Sequence, residues 1–210
     1  NTETGELIFL ESHKDGENDV DGLDGPYGVA LDHDGENVYV SSFSDSALAV
    51  FSRNSSTGAL TFTQVIKQTD SGVDGLGGAY AVTVSPDNKN VYVGAQSGND
   101  LTVFDRNTDT GVLTFREVHS NGDNETYSLY HVRCVTISPD GGNVYNCAYS
   151  GDAFGAYRRN SDTGALTYLG YKRKLTQYYK GLDGPMSIAV SPDNIHLYIM
   201  GYTNKALTVI

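Results

Sequence analysis

A 53-residue internal repeat constrains the fold more than any other feature of this chain. Val29, Val82, Val135 and Ile188 follow one another at that interval. Other series keep the same interval: Leu23, Leu76, Leu129 and Leu182; Tyr39, Tyr92, Tyr145 and Tyr198; and the Thr-Gly pairs at 57–58, 110–111 and 163–164. Repeats of this length are supersecondary units that bury their hydrophobic faces by stacking on their neighbours. The chain is therefore predicted to be an array of four equivalent units.

Each unit has the pattern of four short strands. In the second repeat, residues 80–85 alternate apolar and polar side chains, Pro86-Asp87-Asn88 makes a turn, and 91–93 returns. Further strands are predicted at 100–105 and 112–118, and no window longer than ten residues has helical spacing. A repeat is thus one four-stranded antiparallel sheet, which is the size of a propeller blade.

The predicted fold class is all-β, a β-propeller forming one domain over residues 1–210. The repeats span approximately 22–65, 75–118, 128–171, and 181–210 together with 4–12. Both faces of each sheet carry Val, Leu, Ile, Phe and Tyr, so each sheet must be covered on two sides. Radial stacking does this and leaves short edges. A β-sandwich is the alternative, but it accommodates four equal repeats poorly.

The two ends of the chain predict how the ring closes. The last residues, KALTVI, complete only a third strand, whereas residues 4–12 match the fourth strand at 57–65. The N-terminal strand is therefore predicted to pair with the C-terminal blade and close a four-bladed ring. An eight-bladed ring built from two chains is the alternative.

The repeat motifs resemble a known family. SPDNKNVYV (85–93), SPDGGNVYN (138–146) and RNSSTGALTF (53–62) resemble the lactonase-like, YVTN-type propeller repeats of bacterial and other extracellular proteins. The resemblance implies a propeller. The superfamily includes sugar-lactone hydrolases, usually with seven blades, and many surface proteins with no established chemistry. Because this chain has only four repeats, no catalytic residue is carried over from the resemblance.

Charge and composition exclude some classes of binding partner and indicate where the protein is located. Fourteen Lys and Arg residues against 26 Asp and Glu residues give a net charge of -12, which argues against nucleic acid and anionic membranes as partners. No apolar stretch approaches the length of a transmembrane helix. The first residues lack the features of a signal peptide, so a signal has been removed or none existed. The acidic composition, the resemblance and the sequons at Asn54 and Asn124 together predict an extracellular or cell-surface protein.

An acidic loop is the candidate metal site. Asp15, Glu17, Asp19 and Asp21 alternate along the sequence DGENDVDGLD, and clustered carboxylates can supply the oxygen ligands that calcium requires. The alternative is a solvated acidic loop without metal. No other cofactor is expected.

A basic and aromatic loop is the candidate ligand site. Aromatic faces stack on sugar rings, and cations pair with carboxylate or sulfate groups. An acidic glycan, another protein or the acidic loop of a second copy fits such a surface; alternatively, the rings pack on neighbouring blades and the lysines keep the loop soluble. The candidate ligand-binding residues are Tyr171, Lys172, Arg173, Lys174, Tyr178, Tyr179 and Lys180.

Catalytic signals are sparse. No histidine has the spacing of a zinc site, and no G-x-S-x-G or phosphate-binding loop is present. His131 opens a first strand near the propeller axis and is the one histidine that we consider as an acid or base. The leading functional prediction is a non-catalytic extracellular binding or assembly module. The alternative is a lactonase-like hydrolase of sugar lactones.

The two cysteines predict a disulfide. If Ile137 faces Val144 across the turn of the third repeat, Cys134 and Cys147 stand directly opposite each other on adjacent strands. Opposite residues in an antiparallel pair lie within disulfide range. The alternative is a pair of small buried thiols.

Overall fold

The computed structural model describes residues 4–174, 179 and 181–210. Within this part of the chain the regular structure is almost entirely β. The strands are β1 (Pro26–Leu31), β2 (Asn37–Ser42), β3 (Ala47–Arg53), β4 (Leu60–Lys67), β5 (Ala79–Val84), β6 (Asn90–Ala95), β7 (Asp100–Arg106), β8 (Leu113–Ser120), β9 (Val132–Ile137), β10 (Asn143–Ala148), β11 (Ala153–Arg159), β12 (Leu166–Arg173), β13 (Pro185–Val190), β14 (Leu197–Gly201) and β15 (Ala206–Val209). A 3-10 turn, Asp123–Glu125, precedes β9. No helix among the described residues has the length and hydrophobicity needed to cross a membrane.

Each repeat forms one antiparallel sheet, as predicted. The orders are β1-β2-β3-β4, β5-β6-β7-β8, β9-β10-β11-β12 and β13-β14-β15. The first strands β1, β5, β9 and β13 pack against one another in turn, so they form the inner edges and the fourth strands form the outer edges. This propeller-like arrangement follows from the two apolar faces of every sheet, which are buried only between neighbouring sheets.

A buried arginine joins the second sheet to the first. Arg106, at the end of β7, donates to the Tyr39 hydroxyl at 2.6 Å and to Asn37 Oδ1 at 2.9 Å, and it forms an ion pair with Asp32. The Tyr39 hydroxyl in turn donates to the carbonyl oxygen of Gly111. Because the guanidinium group and its partners are all buried, these bonds fix the relative position of the two sheets.

The same contact recurs one repeat later. Arg159 donates to the Tyr92 hydroxyl at 2.8 Å, to Asn90 Oδ1 at 2.7 Å and to both carboxylate oxygens of Asp87. Burial raises the pKa of Asp87, but hydrogen bonds from Ser85 and Arg159 outweigh it and hold the pKa below its ordinary value. The contact between sheets is therefore encoded by two repeated features, an Asn-Val-Tyr sequence in the second strand and an Arg-Asn pair at the end of the third strand.

Among the residues that the structure describes, the N-terminal segment does not pair with the last sheet as predicted. Residues 4–14 form no strand, and in the described part of the chain β15 pairs only with β14. The N-terminal segment lies instead beside the first sheet, where Glu11 accepts a hydrogen bond from the Leu60 amide at 2.6 Å. Gln64 and Glu117 make the same bond to Leu113 and Leu166. Glu11 thus occupies the position of a fourth-strand residue without pairing to a third strand.

The predicted register of the two cysteines is confirmed, but the disulfide is not supported. Cys147 stands opposite Cys134, and Val144 stands opposite Ile137. Both thiols are free. Register brings the backbones together, whereas a disulfide also requires the two sulfur atoms at bonding distance with a specific dihedral angle. A hydrogen bond with Cys147 lowers the pKa of Cys134, and burial raises the pKa of Cys147 well above its ordinary value.

Candidate functional site

The inner strands carry one bulged residue per repeat. The register between first and second strands shifts around Tyr27, Tyr80, Arg133 and Met186, which are 53 residues apart. A bulge re-aims the side chain of the extra residue and is common beside active sites. Three of the bulged residues, Tyr27, Tyr80 and Arg133, form a row of side chains contributed by three sheets.

Arg133 lies at the centre of this row. Its guanidinium carbon is 4.6 Å from the ring centroid of Tyr80 and 5.5 Å from that of Tyr149. Tyr80 stacks in turn on Tyr27, with 4.4 Å between ring centroids. Both contacts of Arg133 are cation–π interactions, which hold the cation without neutralising it.

The charge of Arg133 has no counter-ion in the described part of the chain. None of the ion pairs there involves Arg133. Its Nε is buried and has no hydrogen-bond partner among the described residues. A buried donor without an acceptor is costly, and such groups call for an explanation such as a ligand. The arrangement is suited to accept an anionic oxygen.

His131 stands two residues before Arg133 in a strained backbone conformation. Its φ is 59°, whereas the equivalent residues of the other three repeats are Gly25, Gly78 and Gly184, with φ between 61° and 64°. A left-handed conformation at a residue other than glycine costs about 1 kcal/mol or more and is concentrated at functional sites. The third repeat alone has a side chain at this position.

A hydroxyl group orients the His131 ring. His131 Nδ1 is 2.7 Å from Ser150 Oγ. In the other repeats the equivalent hydroxyls of Ser44, Ser97 and Thr203 lie 2.5–2.6 Å from where a Cβ would be built on the glycine. The His131 backbone is held by Asn99, whose Oδ1 accepts from its amide, and by the Tyr149 amide, which donates to its carbonyl. His131 and Arg133 therefore meet at one loop, Tyr149-Ser150.

We call Tyr80, His131, Arg133, Tyr149 and Ser150 the inner cluster. It combines an unpaired cation, an imidazole with one ring nitrogen already bonded, and two aromatic walls. The sequence pointed to His131 but not to Arg133. Comparison of equivalent positions in the four repeats would have indicated both residues. His131 stands where the other repeats have glycine, and Arg133 stands where the first two repeats have Tyr27 and Tyr80.

The basic and aromatic loop does not form one site among the described residues. Tyr171 contacts Tyr127, with ring centroids 6.2 Å apart, whereas the ammonium of Lys172 lies 6.0 Å above the Tyr179 ring. Lys174 is paired with Asp183, which raises the pKa of Lys174. Arg173 is exposed. Tyr178 and Lys180 lie outside the described residues, so ligand binding by this loop stays a prediction.

The acidic loop brings together a different set of carboxylates from the predicted one. Oxygens of Asp15, Asp21 and Asp45 lie within 4.8 Å of one another. Glu17 pairs instead with Lys14, and Asp19 is not in the group. Asp21 accepts from the Lys67 ammonium at 2.7 Å, and this bond lowers the pKa of Asp21. The lysine already supplies positive charge to the group, and calcium binding stays a prediction.

Comparison with known proteins identifies related propellers. A family model described as "Lactonase, 7-bladed beta-propeller" matches residues 1–177. No curated protein matches the chain. A putative 6-phosphogluconolactonase from Bacteroides uniformis superposes with a TM-score of 0.74 at 15% identity, over 90% of this chain and 54% of that one.

Two further structures have similar folds. A putative 6-phosphogluconolactonase from Bacteroides fragilis gives a TM-score of 0.71 at 22% identity, over 100% of this chain and 60% of that one. The periplasmic gluconolactonase of Pseudomonas aeruginosa gives 0.64 at 21% identity, over 84% and 43%. The chain thus spans about half the length of these structures.

These matches correct the leading functional prediction. The family match contradicts a non-catalytic binding or assembly module and favours the alternative, a lactonase-like hydrolase. The prediction of a non-catalytic module was wrong because the repeated motifs, on which it relied, belong to the structural scaffold. The residues that differ between repeats, on which catalysis would depend, have no motif of their own.

Proposed function

Because the chain belongs to the lactonase family of seven-bladed β-propellers, we propose that it hydrolyses lactones at the inner cluster. The observation that carries the proposal is the unpaired, aromatic-walled guanidinium of Arg133 two residues from His131. Lactone hydrolysis needs a base to activate water and a positive group to stabilise the oxyanion that forms at the carbonyl. The inner cluster contains both.

His131 acts as the general base. With a proton on Nδ1 donated to Ser150 Oγ, its Nε2 has a free lone pair that accepts a proton from water. The resulting hydroxide attacks the lactone carbonyl carbon and forms a tetrahedral intermediate. A positioned base of this kind contributes about 10²–10⁴ in rate.

Arg133 stabilises the negative oxygen of that intermediate. Its guanidinium group donates to the oxyanion, and the walls of Tyr80 and Tyr149 keep it in place. As the intermediate collapses, the ring C–O bond breaks and the leaving oxygen takes the proton from the imidazolium of His131. One lactone and one water give one hydroxy acid, and the histidine returns to its starting state.

The test is lactone opening followed as acid release at constant pH. Glucono-δ-lactone and 6-phosphogluconolactone are the substrates, each corrected for spontaneous hydrolysis. We expect turnover by the parent protein and a loss of about 10²-fold in kcat for Arg133→Lys, because a lysine cannot reproduce the planar donor between two rings. Arg158→Lys, an exposed arginine of β11, is the matched control and should leave the rate unchanged. Parent rates equal to the background for both lactones would refute the proposal.

The remaining expectations stay predictions. A location outside the cytoplasm is favoured by the periplasmic neighbour and by the acidic composition. Among the described residues no strand pairing joins the first sheet to the last. The number of blades in the complete ring, including the eight-bladed ring of two chains, stays a prediction. Binding of a protein partner and self-association likewise stay predictions.

A further inference from the structure

A tyrosine-lined cleft lies at the outer rim between the second and third sheets. Its volume is about 610 Å³, and its lining residues are Asn124, Glu125, Tyr127, Tyr168, Leu169, Gly170 and Tyr171. We call it the rim cleft. It is built from the loop before β9 and from β12, whereas the inner cluster lies at the first strands. The rim cleft is therefore separate from the proposed catalytic site.

The other repeats provide an internal comparison for the rim cleft. One comparable cleft, of about 480 Å³, lies between the N-terminal segment and the first sheet, and another, of about 360 Å³, lies between the first and second sheets. None of their described lining residues is a tyrosine. Tyr127 replaces Asp21 and Asp74, Tyr168 replaces Phe62 and Phe115, and Tyr171 replaces Val65 and Val118. Three changes to tyrosine have accumulated at one place in one repeat.

A glycine leaves one part of the rim cleft wall without a side chain. Gly170 stands where earlier repeats have Glu11, Gln64 and Glu117, whose side chains bond the next outer strand. A Cβ on Gly170 would meet nothing within 4 Å, and its φ of 130° is suited to glycine. The third repeat thus lacks the side chain that would reach toward the fourth sheet, whereas Glu117 still spans the gap between the second and third sheets through its bond with Leu166.

The lining of the rim cleft matches the chemistry of a sugar ring. Tyr127 and Tyr171 are exposed and meet edge to face, and flat aromatic surfaces pack against the C–H face of a pyranose. Asn124 and Glu125 add exposed amide and carboxylate groups that can bond hydroxyls. The volume of the rim cleft falls in the range of small-ligand sites, and its lining combines aromatic surfaces with polar groups that can fix a ligand's orientation. The Glu125 carboxylate disfavours an anionic sugar.

We propose that the rim cleft binds a neutral oligosaccharide, stacked on Tyr127 and Tyr171 and hydrogen-bonded by Asn124 and Glu125. This binding is independent of lactone hydrolysis. A second sugar contact would hold the protein near carbohydrate while the inner cluster acts on a small lactone.

The test is titration of the full chain with maltopentaose and with cellopentaose, followed by calorimetry and by the NMR signals of the tyrosine rings. Tyr127→Asp and Tyr171→Val install residues that the first two repeats carry at the same positions, so the fold already accommodates them. We expect binding of at least one of the two by the parent and about tenfold weaker binding by each variant, because each removes one stacking surface. Tyr198→Ser, an exposed tyrosine of β14, is the matched control and should bind as the parent does.

Three results would overturn the proposal. These are no binding of either sugar by the parent, equal binding by the two rim variants, and tighter binding of an alginate oligosaccharide than of the neutral sugars. Thermal unfolding of each variant separates lost binding from lost folding. Since the readout is binding, failure of lactone hydrolysis would leave this test unaffected.

Discussion

At the scale of single residues, the informative positions are those where one repeat departs from the other three. Because the repeats have similar backbone conformations, a residue that differs in one repeat can be compared directly with its equivalents in the others. His131 in a series of glycines carries strain, and its ring is bonded to Ser150. Asp100 in a series of alanines, Ala47, Ala153 and Ala206, is a buried carboxylate. Neither departure serves packing alone.

Asp100 predicts a pH dependence of stability. Burial raises its pKa to about 6, so the folded protein binds this proton more tightly than the unfolded chain does. Stability should therefore fall as the pH rises from about 4 to about 6 and then level off. Asp100→Asn keeps the shape and removes the charge. We expect it to gain about 1–2 kcal/mol at pH 7 and nothing at pH 4.

Urea unfolding at the two pH values measures this difference. Asp109→Asn, in an exposed turn, is the control and should change neither value. A gain of the same size at pH 4 and pH 7 would show that the ionised carboxylate is not the cause.

At the scale of elements, stability depends on how each sheet is joined to the next. Arg106 and Arg159 are buried and carry three partners each in the preceding sheet. Arg53 occupies the same position in the first sheet, but its described hydrogen bond goes to the Gly35 carbonyl within its own sheet. The same residue type therefore joins sheets only where a preceding sheet supplies the partners.

Replacing these arginines should have unequal effects. Arg106→Lys removes the planar guanidinium group that donates to Asp32, Asn37 and Tyr39. We therefore expect the free energy of unfolding to fall by about 2 kcal/mol. Arg53→Lys is the matched control and should cost less than about 0.5 kcal/mol. Denaturant titration compares the two. Equal losses would show that the contact between sheets does not contribute.

The cysteine pair makes a separate prediction within the third sheet. Because Cys134 and Cys147 are free, alkylation of the denatured protein without reductant should add two groups to the intact mass. A chain that takes up no alkyl group until it is reduced would show that the two thiols are bridged.

At the scale of the whole molecule, sequence patterns within one repeat predicted the structure better than comparisons between distant parts of the chain. The strands of the second repeat lie within two residues of their predicted bounds, because alternation and tight turns are written in neighbouring residues. The same turn fixed the register of Cys134 against Cys147. Pairing of the N-terminal segment with the last sheet depended on two distant ends of the chain, and no local pattern determines it.

The candidate site was predicted only in part, for a physical reason. His131 was recognisable as an unusual residue at the start of a strand. Arg133 acquires its importance from a bulge and from rings in two other segments, Tyr80 and Tyr149. These contacts between distant segments depend on tertiary structure, and no sequence motif predicts them.

The most direct measurement of the central claim is the lactone-opening rate of His131→Gly beside its thermal stability. Glycine is the residue of the other three repeats at this position, so the variant should stay as stable as the parent or gain up to about 1 kcal/mol from relieved strain. The account predicts at the same time a loss of about 10² or more in kcat, because the base is gone. A variant that is as active as the parent would contradict the assignment of His131 and, with it, lactone hydrolysis at the inner cluster.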